Sequence, residues 1–146
     1  ELKKWQEKRF AEKNIKAEWE IKADRLFGDE LLLEMLIRNI FENAFRATDE
    51  GGKISTYVYE NEKNTVFEIT DTGCGMEPEE LEKIKEPFYR VDKSRSRKQG
   101  GTGLGVSLCQ KIVEKHDGSM EYRSKKGVGT TVTVKISSMY ALFPVW

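Results

Sequence analysis

Gly100-Gly101-Thr102-Gly103-Leu104-Gly105 runs directly into Val106-Ser107-Leu108-Cys109-Gln110-Lys111-Ile112-Val113, so four glycines in six residues stand immediately ahead of an amphipathic stretch. Glycine has no Cβ and lets the backbone approach a ligand closely. A loop of free N–H groups that opens onto a helix N-terminus is an anion site by hydrogen bonding and by dipole together. Three phosphate-binding patterns are nevertheless excluded. A Walker loop requires Lys after its second glycine, and Gly105 is followed by Val106. The dinucleotide fingerprint fails because Gly101-x-Gly103 is followed three residues on by Val106, without a βαβ setting. The signature set of protein kinases is absent. A different phosphate-binding fold is required.

Outward from this loop the periodicities assign the remaining elements. Thr102 can cap the helix, which carries Leu104, Leu108 and Ile112 at i, i+4 and i+8 with Cys109 and Val113 beside them, and Gly118 ends it. Downstream, Ser119–Ser124 and Thr130–Ile136 read as strands around a Lys125–Gly129 turn, with Val132, Val134 and Ile136 on one face. Upstream, Phe88 to Gly101 has no period, many cations and terminal glycines, the composition of a mobile loop, and Pro78 to Lys85 reads as a short acidic helix. Lys53–Glu60 and Thr65–Thr70, joined by Asn61–Asn64, form an antiparallel hairpin. A long helical pattern runs to about Thr48, with Asp29 as its cap and Gly51-Gly52 at its end. Ile15, Ala17, Trp19 and Ile21 alternate with charged residues as a half-buried strand does, and Leu2 to Lys13 has helical spacing. The predicted fold class is a two-layer α+β sandwich, a mixed sheet covered on one face by about three helices.

The 146 residues are 38% hydrophobic, and 25 Lys+Arg balance 25 Asp+Glu for a formal net charge of zero. That suits one globular domain with one core and removes the global electrostatic argument for nucleic-acid binding. Cys74 and Cys109 are too few for a disulfide framework, and a lone His116 cannot complete a zinc site. No stretch has the roughly 20 apolar residues of a membrane span and no signal-peptide pattern is present. Opening on Glu1 and a charged run, the chain reads as cut from something longer.

Three further constellations carry chemistry. Asp71-Thr72-Gly73-Cys74-Gly75-Met76 ends a strand, where an aspartate either caps a turn or accepts from an exocyclic amine while the glycines let a flat base pass. The same Asp71-Thr72-Gly73 spells the aspartic-protease motif, which would work here only as a dimer, on a scaffold with far fewer helices. Asn39 and Asn43 lie one turn apart with Arg46 following, amid Leu36, Ile37, Ile40 and Phe41. Such poor helix formers either satisfy neighbouring backbone or face a cleft, where an amide oxygen can ligate Mg²⁺ and an arginine can hold phosphate. Arg90 to Lys98 carries five cations against one acid, as an exposed loop or as a lid over phosphate. As an RNA patch it is short and has no stacking aromatic beyond Tyr89. His116, before Asp117-Gly118, reads as a cation-prone side chain at a helix C-terminus.

In order, these pieces resemble the ATP-binding (HATPase) catalytic domain of bacterial sensor histidine kinases, within the gyrase–Hsp90–histidine kinase–MutL superfamily. Asn39 to Arg46 is similar to the N box, and Asp71-Thr-Gly-Cys-Gly75-Met to the first glycine box. Glu86-Pro-Phe88-Tyr-Arg90 with its basic continuation is similar to the F box, Gly100 to Gly105 to the second glycine box, and Gly127-Val-Gly-Thr-Thr131 to the last. The resemblance implies a Bergerat-type fold with ATP between two helices under a lid. It assigns ATP binding to Asn39, Asn43, Arg46, Asp71, Gly73, Gly75, Tyr89, Arg90, Lys93, Gly101, Thr102, Gly103, Leu104, Gly105 and Thr130, with Asn43 as the Mg²⁺ ligand and Asp71 on the adenine amine. Thr130, sharing an inward face with Val132, is preferred to Thr131 as the adenine-side hydroxyl. Ala47 stands where the family often has an aromatic, so base stacking comes from Tyr89 or is weaker.

The resemblance further implies a protein-histidine kinase whose phosphoacceptor histidine lies outside this chain. Asn39 stands where ATPase and serine-kinase branches carry a glutamate base, which disfavours the alternative of a stand-alone ATPase or serine kinase. Residues 1–13 are expected to end an incoming helix from a dimerisation domain, 14–138 to form the ATP-binding domain, and 139–146 to be an apolar tail. The implied partners are the phosphoacceptor domain of the same protein and a response-regulator receiver domain, with no nucleic acid. The isolated chain is expected to be a cytoplasmic monomer, whether or not the parent is membrane-anchored.

Overall fold

Why the chain folds into one mixed sheet is visible in its register. The computed structural model describes residues 1–23, 26–84 and 105–138. Five strands, β1 (Lys16–Lys22), β2 (Lys53–Glu60), β3 (Asn64–Asp71), β4 (Ser119–Lys125) and β5 (Gly129–Ser137), are ordered β1-β2-β3-β5-β4. The β1–β2 pair is parallel and the other three are antiparallel. Because side chains alternate along a strand, pairing aligns them in inward rows. Ile54, Asp71, Thr130 and Ser124 make one row at the end of the sheet, and Thr56, Ile69, Val132 and Tyr122 make the next. β3 begins and ends one residue beyond the predicted Thr65–Thr70, which puts Asp71 inside the ladder.

The described helices are α1 (Leu2–Ala11), α2 (Glu30–Ala47), α3 (Pro78–Lys83) and α4 (Gly105–Lys115). Asp29 caps α2 by accepting from Leu32 N at 3.0 Å. α2 lays Leu33, Leu36, Ile37, Ile40, Phe41, Ala44 and Phe45 on the inward face of the sheet, each large side chain contributing about 2 kcal/mol by its burial. α4 adds Cys109, Ile112 and Val113, whereas Leu108, expected on its apolar face, stays 37% exposed. The reason is angular: Cys109, whose Sγ lies 3.9 Å from the Leu36 carbonyl, faces α2, and Leu108 lies a step around the helix from it. Burial holds the Cys109 thiol up at about 12, so it is inert filler.

α1 buries Phe10 edge-on to Phe41 with 6.1 Å between ring centroids, and Arg9 grips both carboxylate oxygens of Glu42. Lys13, just past α1, donates to the carbonyls of Phe45 and Thr48 at the end of α2. α3 buries none of its residues. This helix-covered sheet is not the nearly all-β scaffold of the aspartic proteases. Among the described residues, no helix is long and apolar enough to cross a membrane.

Candidate functional site

Polar side chains gather where the last half of α2, the segment after β3 and the start of α4 meet. Asp71 is 6% exposed. Its Oδ1 accepts from Gly73 N at 2.8 Å and from Thr130 N at 3.2 Å. Both bonds fall on one oxygen, so among the described residues Oδ2 remains uncommitted. Burial raises the carboxyl pKa above its ordinary value, and the two backbone bonds work against that rise. Asp71 thus caps the turn with one oxygen, and the other, uncommitted among the described residues, leaves the second reading of this residue open.

Gly73 is required by close approach. A Cβ there would lie 2.5 Å from the Ala47 carbonyl oxygen, and 2.8 Å from Asp71 Oδ1. Cys74 N donates to the same Ala47 carbonyl at 3.1 Å, which ties the end of α2 to the segment after β3. Gly75 has φ +65° and sits against the Lys125 carbonyl, beside the β4–β5 turn. Thr130 bonds Asp71 through its backbone N–H, while Thr131 points outward to Thr70 Oγ1 at 3.0 Å. Ser124, which the sequence reading did not single out, joins this group. Its Oγ lies 2.8 Å from Met76 N, 3.0 Å from Gly129 O and 2.7 Å from Thr130 Oγ1. The signal for it was the pairing of Ser124 with Thr130 across the Lys125–Gly129 turn.

One and two turns before Ala47, the amides of Asn43 and Asn39 face the start of α4. A Cβ on Gly105 would lie 3.4 Å from Asn39 Oδ1 and 3.9 Å from Asn43 Nδ2. Asn39 Nδ2 donates back to Met35 O at 2.9 Å, which leaves its carbonyl oxygen toward Gly105. Arg46 is half-buried in the last turn of α2. Asn39, Asn43 and Gly105 therefore form one group and Asp71, Gly73 and Thr130 another, bridged through Ala47. Tyr89, Arg90, Lys93, Gly101, Thr102, Gly103 and Leu104, and with them the lid, lie outside the described residues. Among the described residues no cluster of three or more His, Cys, Asp or Glu could hold a metal ion. A hard cation here would depend on an amide oxygen such as that of Asn43 and on oxygens of a bound phosphate.

His116 corrects its sequence reading. It is fully buried, Nε2 lies 3.0 Å from Asp29 N, and Nδ1 lies 2.7 Å from Ile112 O. A backbone N–H can only donate, so Nε2 accepts and Nδ1–H donates to Ile112 O. The ring is a neutral strut between the end of α4 and the cap of α2, not a cation on a helix terminus.

Residues 28–138 match the family described as histidine kinase-, DNA gyrase B- and HSP90-like ATPase. The sensor protein SrrB of Staphylococcus aureus (strain NCTC 8325 / PS 47) is 37% identical over 118 residues, which cover 81% of this chain and 19% of SrrB. The chain thus spans about a fifth of that relative. The solved catalytic domain of histidine kinase ThkA is 25% identical with a TM-score of 0.80, covering 93% of this chain and 88% of that one. The mycobacterial sensor histidine kinase MprB, 23% identical with a TM-score of 0.80, covers 93% of this chain and 92% of its own, a likeness of fold. With the matched region running from the cap of α2 to the end of β5 and enclosing both polar groups, the chain belongs to the histidine kinase-, DNA gyrase B- and HSP90-like ATPase family.

Proposed function

We propose that this chain binds ATP with Mg²⁺ and presents the γ-phosphate to a histidine on a separate phosphoacceptor domain, as the catalytic domain of a two-component sensor histidine kinase. The observation that carries this reading is Asp71, buried, with Oδ1 consumed by two backbone donors and Oδ2 uncommitted among the described residues, beside Gly73, where a Cβ would lie 2.8 Å from Asp71 Oδ1. An acceptor so placed suits the exocyclic amine of adenine. Asn43 would supply an amide oxygen to Mg²⁺, Arg46 with Arg90 and Lys93 would contact phosphate oxygens, and backbone N–H groups of Gly101 to Gly105 would cradle the phosphate chain. Tyr89 would lie against the base.

Asn39 cannot take a proton from water, and its amide is already bonded to Met35 O. The domain would therefore position and neutralise rather than hydrolyse, because phosphoryl transfer depends mainly on placement and electrostatics. His116 is sealed in the core and is no acceptor for the phosphoryl group. This reading takes a phosphoacceptor domain of the same protein and a downstream response regulator as partners and places the domain in the cytoplasm, and the likeness to a sensor protein, SrrB, supports the sensor-kinase setting. In this reading residues 1–13 lead in from the dimerisation domain, 14–138 bind nucleotide and 139–146 form a tail.

Calorimetric titration with a non-hydrolysable ATP analogue, with and without Mg²⁺, tests the proposal, alongside an assay for phosphate release from ATP. Mg²⁺-dependent binding with negligible hydrolysis, and phosphorylation of an added phosphoacceptor domain, is the expected result. Rapid release of phosphate without any acceptor would overturn it in favour of an autonomous ATPase.

A further inference from the structure

Ser124 Oγ has one proton and two lone pairs, and three partners lie within 3.0 Å of it. Met76 N–H can only donate and so takes one lone pair. The Gly129 carbonyl can only accept and so takes the Ser124 proton. The remaining contact, to Thr130 Oγ1, is then satisfied when Thr130 donates to the second lone pair of Ser124. With its proton spent in this way, Thr130 Oγ1 can only accept from anything in the cleft. It stands in the same inward row as Asp71, whose Oδ2 is also an acceptor. Two acceptors side by side match the two N–H bonds of one exocyclic amine and repel a carbonyl oxygen.

We infer that Ser124 is a positioning residue that sets base selectivity, by holding the Thr130 hydroxyl as an acceptor beside Asp71 so that the site takes an amino purine and rejects a 6-oxo purine. The inference rests on the nucleotide reading of the site and deepens it. Removal of the Ser124 hydroxyl frees the Thr130 proton to turn toward the cleft, where it can donate to a 6-oxo group.

The test is titration of the whole chain with ATP and with inosine 5′-triphosphate, for the wild type, Ser124→Ala, Ser124→Thr, Thr130→Val and the Ser124→Ala/Thr130→Val pair. The wild type is expected to prefer ATP by at least about tenfold. In Ser124→Ala the preference narrows by about fivefold or more because the inosine nucleotide binds more tightly, a gain that structural damage does not produce. Ser124→Thr, which retains a hydroxyl, keeps the wild-type ratio, and in the Thr130→Val background Ser124→Ala changes the ratio no further. Parallel weakening of both nucleotides in Ser124→Ala, with the ratio unchanged, would overturn the inference while leaving the nucleotide reading intact. A wild type that binds neither nucleotide would overturn that reading, and this inference with it.

Discussion

The two ends of the antiparallel α2–α4 pair are built on opposite principles. At one end His116 is fully buried, bonds Asp29 N and Ile112 O, and leaves so little room that a Cβ on Gly28 would lie 2.3 Å from its Cδ2. At the other end Asn39 and Asn43 are half-buried and turn amide atoms toward Gly105. In between, Cys109 Sγ rests on the Leu36 carbonyl. Polar groups at the first end are satisfied internally and stabilise the fold. Those at the second are held at the surface by a rigid helix, where a ligand can reach them. In the proposed reading the pair separates stability from binding along one pair of helices, and substitutions at its two ends test that separation.

The largest effect is expected at the closed end. His116→Ala removes a buried ring and orphans Asp29 N, while Ile112 O keeps only the backbone N–H of residue 116 at 3.3 Å, which costs about 3 kcal/mol of stability. In urea melts the midpoint drops, while nucleotide affinity of the folded protein, measured well below the transition, stays within about threefold. A large loss of affinity with unchanged stability would break the comparison. Next comes Asp71→Asn, which keeps an acceptor for Gly73 N and Thr130 N but can turn an amide donor toward the ligand amine. ATP affinity should fall by about 30-fold, near 2 kcal/mol, in calorimetry.

Asn43→Ala sharpens the contrast. Mg²⁺-dependent affinity should fall about tenfold, near 1.4 kcal/mol, while thermal stability is unchanged or slightly higher because alanine is the better helix former. The smallest effect is a pH dependence. Burial raises the Asp71 carboxyl above 3.8 in the folded chain, so the folded state keeps this proton to higher pH than the unfolded state does. Its contribution to stability therefore falls as pH rises from 3.8 through the raised folded value. Asp71→Asn lacks that decline. Its stability relative to wild type should grow between about pH 3 and about pH 7 in paired urea melts, and a constant difference would contradict the assignment.

Much of this architecture was legible in local pattern. The alternation from Ile15 to Ile21 and from Val132 to Ile136, the Asp29 cap and the Asn61–Asn64 connection are each properties of a few neighbouring residues, and each element appears within a residue or two of its expected bounds. Asn39 and Asn43 stood out because asparagine is unfavourable inside a helix. Three things were not legible. Leu108 looked as apolar as Ile112, and which of them is covered depends on the azimuth at which α4 meets α2. Ser124 looked like an ordinary strand serine, and its importance depends on three partners, Gly129, Thr130 and Met76, that lie 5, 6 and 48 residues away along the chain. His116 had the sequence setting of a helix-end cation, and only the approach of Asp29, 87 residues away, converts it into a buried neutral strut.

Periodicity, capping residues and the order of the glycine and asparagine motifs by themselves determined the α+β class and singled out the candidate residues of the proposed site, because those features act over a few residues of chain. Tertiary structure alone decided which oxygen of Asp71 takes the Gly73 and Thr130 N–H groups, that Thr130 Oγ1 lies against Ser124 Oγ, and that His116 is sealed between α4 and the cap of α2. Each of these depends on a donor or acceptor brought in by another strand or helix, and a hydrogen bond is specified by the position of both partners.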